Sequence, residues 1–367
     1  MGLLPELYLV IDVKPHSASA SLLAVRAGEK IRILQTRRDF QVSRLKSHLL
    51  ALPFMPTVIL SVDPVLSFTN EVPVEIIRPK PNLPITPVEL ENSLSQVFTK
   101  ISNEQRKYAA QELNVPELDS ILVQSDAHSM TIDNRPVVSP IGQTGRVMGA
   151  MFSTAFTTRP IFEVWHPLFN SGREFYFTDA LRSALFSLCG HRDEGRVLHN
   201  GPTYSYLLTR NDSAEGGRLS RARLDWGINE LCEPLMDAYD MPLSAAYHAV
   251  LRYRDNLVSP SVAATFANLF APVGKKYFRE LRAAGLKSGE VYSNHLPPVG
   301  AAGRIKVKEI PLDEVVARRG LRVEDSTGLS PSETLSFIAP FVEFYYHKKV
   351  SPVNYWLKRR VHWLIPV

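Results

Sequence analysis

Apolar residues near the amino terminus come in short blocks. Leu7-Tyr8-Leu9-Val10-Ile11 runs into Asp12, a turn of small residues follows as Val13-Lys14-Pro15-His16-Ser17-Ala18-Ser19-Ala20-Ser21, and Leu22-Leu23-Ala24-Val25 restores the apolar character. Blocks of this length around turn-forming residues predict a strand, a tight turn and a second strand. Residues 30–36 alternate as a further strand, residues 43–52 have a helical pattern, and Thr57-Val58-Ile59-Leu60-Ser61-Val62 reads as a buried strand. At Arg78-Pro79-Lys80-Pro81-Asn82-Leu83-Pro84 the prolines exclude regular structure, and the break predicts a domain boundary.

Beyond the break, Thr86-Pro87-Val88-Glu89 is a helix start, with threonine as N-cap, proline at the first helical position and an acid in the first turn. The helix should reach residue 112 with Leu90, Leu94, Val97, Phe98 and Ile101 on one face. Residues 120–132 predict a strand turning at Asp133-Asn134-Arg135-Pro136, residues 146–157 a long return strand, and a short helix after Arg159 covers Phe162, Trp165 and Leu168. Together they form a small α+β unit, with Leu94, Phe98, Leu122, Ile132, Met148 and Phe152 as its expected core. A short strand at 175–178 and an apolar helix over 179–190 come next.

That helix leads into a passage resembling the start of the chain. Arg196-Val197-Leu198 runs into His199-Asn200-Gly201-Pro202-Thr203-Tyr204-Ser205, and apolar character returns at Tyr206-Leu207-Leu208. Each hairpin alone reads as an ordinary Asx-type turn. Two that face each other can clamp a phosphate chain with N–H groups and hydroxyls while an acid holds hydrated Mg²⁺. Further on, a basic strand over 218–226 ends at Gly227, and Arg218, Arg221 and Arg223 on it predict a solvated face. Helices are expected over 228–239, 244–253 and 259–284, a strand over 304–310, a polar loop over 318–332, and a last apolar helix over 335–346, kinked at Pro340.

This order of parts resembles the FtsA/PilM branch of the actin-like ATPase superfamily, the bacterial cell-division and type IV pilus assembly proteins. Ile132-Asp133-Asn134-Arg135-Pro136-Val137-Val138-Ser139-Pro140-Ile141-Gly142 looks like the hairpin of the SHS2-type domain inserted in those proteins. Leu224-Asp225-Trp226-Gly227 and Met241-Pro242-Leu243-Ser244-Ala245-Ala246 look like the second-lobe strand that ends in glycine and a helix start after it. The resemblance implies an α/β, actin-like (RNase H-like) two-lobed fold with a small α+β SHS2-type insertion. Residues 1–83 would start the first lobe, 84–170 form the insertion, 171–192 return to the first lobe, 193–317 form the second lobe, and 318–367 hold a loop, a terminal helix and a basic aromatic tail. ATP with Mg²⁺ is the implied cofactor, contacted by Asp12, Lys14, Ser17, Ser19, Asn200, Gly201, Thr203 and Gly227. A division or pilus assembly protein bound at the insertion is the implied partner, together with self-association into a homo-oligomer.

The residues also depart from that family. Its nucleotide loops read Asp-x-Gly, whereas Lys14 stands at the first glycine and His199 at the second aspartate. A lysine crowds the backbone approach that glycine allows, and an imidazole does not replace a carboxylate beside Mg²⁺. The only Gly-Gly pair, Gly216-Gly217, falls too early for the family's adenosine turn. The expectation is a scaffold without ATP turnover, a pseudo-ATPase, with an active polymerising Mg-ATPase of the same fold as the alternative.

Composition narrows the remaining classes. A chain of 367 residues, 45% hydrophobic and 22% charged, suits a soluble protein of two or three domains. Cys189 and Cys232 lie in apolar helical contexts and predict no disulfide, no apolar run is long enough to span a membrane, and the first residues do not read as a signal peptide. The expected place is the cytoplasm, peripheral to the inner membrane. The net charge is +5, with Lys348, Lys349, Lys358, Arg359 and Arg360 crowded near the carboxy terminus. On a helix Trp356, Leu357, Arg360, Val361 and Leu364 share one side, and with Trp363 this predicts either an anchor to an anionic membrane or a tail packed on the second lobe. Nucleic-acid binding through the tail is the third reading, and it lacks a motif or interleaved stacking aromatics. There is no Walker loop or Gly-x-Ser-x-Gly elbow, and the nearest approach to a metal cluster is His191, Asp193 and His199.

Overall fold

The structure is a computed structural model that describes residues 5–26, 30–41, 56–166, 174–189, 194–211, 218–294, 296–297, 299, 304–325, 327–347, 354, 356–357 and 361. The chain opens with an antiparallel meander of β1 (Glu6–Val13), β2 (Ala18–Arg26) and β3 (Lys30–Phe40). β4 (Thr57–Val62) then lies parallel to β1 on its other side. The helical pattern over 43–52 lies outside the described residues.

A four-stranded sheet is inserted next. It contains β5 (Ser67–Ile77), β6 (Ser120–Ile132), the two-residue β7 (Arg135–Pro136) and β8 (Val147–Thr158), in the order β5-β8-β6-β7. Helix α1 (Pro87–Leu113) connects β5 to β6 and starts as its sequence predicts, with the Thr86 hydroxyl accepting from the Glu89 N–H. Its buried stripe, Leu90, Leu94, Phe98 and Ile101, has the spacing of one helix face. Asp133 and Asn134 both take positive φ at the β6–β7 turn, as a two-residue hairpin requires. Helix α2 (Arg159–Trp165) closes the insertion and buries Ile161, Phe162 and Trp165.

The edge strand β5 precedes the proline-rich break, so the sheet begins before residue 84. Its alternating buried and partly exposed residues, with Asn70, Glu71 and Pro73 among them, hide it from a search for apolar runs. The break itself is an ordered loop. Arg78, 4% exposed, reaches Glu89 at 2.8 Å and the carbonyls of Leu83 and Gly145 at 2.9 and 2.8 Å, tying the loop to both α1 and the strand entry.

β9 (Phe175–Asp179) returns to the first sheet parallel to β4, followed by α3 (Ala180–Cys189). The second lobe repeats the pattern. β10 (Gly195–Asn200), β11 (Ser205–Asn211) and β12 (Arg218–Leu224) form an antiparallel meander. Helices α4 (Asn229–Tyr239), α5 (Leu243–Arg254) and α6 (Pro260–Ala283) lead to β13 (Gly289–Ser293), and β14 (Ile305–Glu309) lies beside it, both strands parallel to β10. The chain finishes through α7 (Leu312–Ala317), β15 (Arg322–Asp325) and α8 (Pro331–His347).

The polar stretch expected to be a loop over 318–332 therefore contains a strand. β15 adds to the first sheet in parallel beside β3, where Glu324 pairs with Lys30 and, at 3.2 Å, with Arg32. An edge strand held by backbone bonds and exposed ion pairs needs no apolar pattern. α8 has Pro340 inside it and packs on the first lobe, where Tyr8 meets Phe341 edge-on with ring centroids 5.0 Å apart.

Alternation along β1 divides the first lobe into layers. Tyr8 and Val10 face α8, with Ile338, Phe341 and Val342, whereas Leu9 and Ile11 face a core continuous with the insertion, including Phe98, Phe152 and Phe156. All six residues expected in the insertion core are buried in that shared cluster. The second lobe builds a separate core around Trp226, Phe270 and Tyr277.

Candidate functional site

The two sheets have the same plan. The first runs β3-β2-β1-β4-β9 and the second β12-β11-β10-β13-β14, each an antiparallel meander extended by two parallel strands through crossovers. β15 is an addition to the first sheet, and the insertion occupies its β4-to-β9 crossover.

The fold is the two-lobed actin-like fold.

Its two first hairpins face each other across a cleft of about 260 Å³, slightly below the range of about 300–1,000 Å³ common for small-molecule sites. Asp12 pairs with Ser19, one position before the last pair Val13 and Ala18, and His199 pairs with Tyr206, one position before the last pair Asn200 and Ser205. Asp12 and His199 are thus equivalent, as are Lys14 and Gly201, and Pro15 and Pro202. The turns also match in their backbone bonds: Lys14 N–H donates to the Ser17 carbonyl at 2.8 Å, and Gly201 N–H to the Tyr204 carbonyl at 3.1 Å.

Of the eight residues singled out in the sequence, Asp12, Lys14, Ser19, Asn200 and Gly201 line the cleft. Ser17, Thr203 and Gly227 are not among its lining residues. The Ser17 hydroxyl points to Asp39 at 3.5 Å, and Thr203 is exposed at the turn. Gly227 supports the second turn from behind: a Cβ there would lie 2.3 Å from the Pro202 carbonyl oxygen, and Asn229 N–H donates to that same oxygen at 2.9 Å. Asn200 is buried and donates to the Ser293 hydroxyl at 3.1 Å while accepting from Ser205 at 3.1 Å, which ties the second hairpin to β13.

The first lobe places three carboxylates at the carboxyl ends of its parallel strands, where open α/β sheets bind ligands. Asp12 stands on β1, Asp63 directly after β4, and Asp179 at the end of β9. Each has a basic side chain of the protein beside it. Lys14 Nζ lies 3.8 Å from Asp12, His199 Nε2 lies 3.1 Å from Asp63, and Arg221 Nη1 lies 3.3 Å from Asp179. The last two of these side chains come from the second lobe. Arg221, read in the sequence as part of a solvated face, is buried: it also donates to the carbonyls of Ser67 and Pro64 and lies 4.6 Å over the Tyr206 ring. A strand pattern does not distinguish this inward arginine from the half-exposed Arg223 two residues on.

These contacts set the proton affinities. Burial pushes the Asp12 carboxyl up to about 6, against the pull of Lys14 and with a further push from Asp63. Burial also works against Asp63, but the charge and hydrogen bond of His199 outweigh it and hold its carboxyl below the ordinary range. His199 is correspondingly raised: burial opposes its charge, and Asp63, Asp179 and Asp12 favour it. Asp63 and Asp179 escaped the sequence reading because neither belongs to a hairpin. Their signal is an acid at the end of a buried apolar strand.

Hydrated Mg²⁺ needs carboxylates free to accept from its waters or bind it directly. Here each of the three acids already faces a basic side chain, and among the described residues no three His, Cys, Asp or Glu side chains converge as metal ligands do. The residues present do not fit that ion. His191 and Asp193 lie outside the described residues. Neither Cys189 nor Cys232 is in a disulfide.

Part of the expected apolar side of the carboxy-terminal tail is covered by protein. Leu357 and Val361 are buried in the core shared by the first lobe and the insertion, Trp356 packs against it, and the Trp356 indole donates to Glu91. Asn354 accepts from the Ala127 N–H of β6 at 2.8 Å. The described residues of the tail thus pack on the insertion rather than on the second lobe. Lys358, Arg359, Arg360, Trp363 and Leu364 lie outside the described residues. Among those described, no helix is long and apolar enough to cross a membrane.

No family model matches the chain, and no curated protein does. Solved structures similar to it include a PilM–PilN type IV pilus biogenesis complex, at 14% identity over 98% of this chain and 99% of that one, with a TM-score of 0.46. The ethanolamine utilization protein EutJ from Carboxydothermus hydrogenoformans is similar at 11% identity over 93% and 92% of the two chains, with a TM-score of 0.38. The cytoplasmic domain of EpsL, an inner-membrane component of the type II secretion system of Vibrio cholerae, is similar at 10% identity over 92% and 95%, with a TM-score of 0.32.

Proposed function

We propose that the chain is an actin-fold scaffold that acts by binding other proteins, of the division or pilus assembly kind its sequence resembles, and that it does not turn over ATP. The observation that carries this reading is the chemistry of the two hairpin tips. A phosphate clamp works through backbone N–H groups aimed at the anion. Pro15 and Pro202 occupy equivalent positions on the cleft wall and have no N–H, and the N–H groups of Lys14 and Gly201 are used within their own turns. Both tips have lost the same donor, and the acids behind the first tip face basic side chains of the protein.

The insertion supports the binding half of the proposal. Ile77, Leu83, Val88, Tyr108, Leu118, Val138 and Ile141 are large apolar residues exposed on it, half of all those exposed among the described residues. Backbone bonds of 2.9 Å in both directions between Ile85 and residues 142–143 hold two of the loops carrying them together. Apolar groups concentrated on one module suit a protein contact better than scattered ones do.

Calorimetry with Mg-ATP tests the first half, together with phosphate release by the wild type and by Asp12→Ala. The expected result is no Mg²⁺-dependent affinity and equal, background release from both proteins. Release that depends on Asp12 would establish the active ATPase instead. Restoring the clamp by combining Lys14→Gly, Pro15→Gly and His199→Asp should raise nucleotide affinity. For the binding half, Val138→Asp with Ile141→Asp should abolish recovery of the native partner in pull-downs from the host without altering the thermal midpoint.

A further inference from the structure

We propose that His199 is a pH-operated latch between the two lobes, holding the cleft closed when protonated and releasing it when neutral. The inference concerns the lobes alone and is independent of whether the cleft takes nucleotide.

Among the described residues, three ionic contacts between side chains at most 15% exposed join the second lobe to the rest of the molecule. Arg221 holds Asp179 and the backbone after β4, Arg210 on β11 holds Glu71 on β5 at 3.0 Å, and His199 holds Asp63 at 3.1 Å. A guanidinium keeps its charge at every pH a cell reaches, whereas an imidazole loses its charge near neutrality. The two arginine contacts therefore persist as a hinge and only the histidine contact titrates.

The groups around His199 favour its charged form from several directions. Asp63 after β4 is in direct contact, Asp12 on β1 and Asp179 at the end of β9 add attraction, and Lys14, near Asp12 and Asp63, opposes them. Asn294, following β13, lies 3.2 Å from the Nδ1 atom. Its amide can donate to a neutral ring or, turned over, accept from a charged one, so it accompanies either state. Because the folded-state value of His199 lies above the ordinary 6.5, the ionic part of the contact is complete below that pH and is lost as pH rises through the folded value, leaving a neutral Nε2–H beside Asp63. Burial leaves the Asp63 carboxylate with little solvent, so losing the imidazolium favours a cleft that opens to water.

Hydrogen exchange from about pH 5.5 to about 9, corrected for intrinsic rates, reads the latch in peptides covering residues 61–67 and 197–206. In the wild type their protection should fall as pH rises past 6.5, while peptides from β9 stay constant. His199→Gln should give a flat profile, and Asp63→Asn should move the midpoint down to the ordinary histidine value or below. His128, which lies 3.6 Å from Glu71 at the hinge, provides the control: His128→Gln should keep the wild-type profile. A flat wild-type profile, or a wild-type fall retained in His199→Gln, overturns the latch. Should His199→Gln not fold, the ring resonance of His199 in histidine-labelled wild type decides, since a midpoint at or below 6.5 also overturns it.

Discussion

The β1–β2 and β10–β11 hairpins share register, turn length, turn hydrogen bond and even the proline at the tip, yet they do different chemistry. The first keeps its acid, Asp12, and compensates it locally with Lys14, two residues along the same turn. The second has His199 at the equivalent place and sends it across the cleft to Asp63. One hairpin pairs its side chain within its own turn and the other is a bridge. A repeated backbone therefore does not preserve a repeated function, because the hydrogen-bond ladder that fixes the hairpin uses only main-chain groups and leaves the side chain at the bend free to change.

The largest test of this contrast is at the base of the bridging side. Arg221→Ala leaves the buried Asp179 carboxylate without its cation and should cost about 3–5 kcal/mol in urea unfolding, with Asp179→Asn in the same chain recovering part of the loss. A comparable loss from Lys14→Ala would break the comparison, since the half-exposed Lys14 is expected to contribute at most about 1 kcal/mol. Next comes the support behind the second turn. Gly227→Ala drives a methyl into the Pro202 carbonyl and should cost about 1–3 kcal/mol, as other forced insertions into packed positions do.

The pH dependence of stability should separate the hairpins by sign. Asp12 is raised from 3.8 to about 6, so its contribution is complete below 3.8 and is lost as pH rises through about 6. Asp63 is lowered, so its contribution is present above 3.8 and is lost as pH falls through its folded value. Asp12→Asn should therefore remove a decline in urea midpoint between about pH 4 and about pH 7, whereas Asp63→Asn should remove a loss on the acid side. The smallest effect is at the tips: Pro15→Ala and Pro202→Ala should each cost only about 0.4–1 kcal/mol through the unfolded chain. A much greater loss at Pro202 would extend the buttressing by Gly227 to the turn itself.

Much of this architecture is legible in the residues. The Thr86-Pro87 helix start, the Asp133-Asn134 turn and the equivalence of Asp12 with His199 each depend on neighbours within a few positions, and local sequence suffices for them. β5 and β15 were not legible, because an edge strand with one wet face carries little apolar signal. Where Leu357 and Val361 of the tail would pack was not legible for a related reason. The periodicity of Trp356, Leu357 and Val361 reports an apolar side and says nothing about whether lipid or protein covers it.

The sequence by itself determined most of the strands and helices of both lobes, though not β13, α7 or β15, that their two hairpins correspond, and that one of the paired acids is missing. Only the tertiary structure decided that Asp63 meets His199 and Asp179 meets Arg221, since they lie far apart along the chain, after β4 and on β10, β9 and β12. Helix and strand periodicities are set by local backbone geometry, whereas a charge finds its partner through the packing of two sheets, and no local pattern encodes that distance.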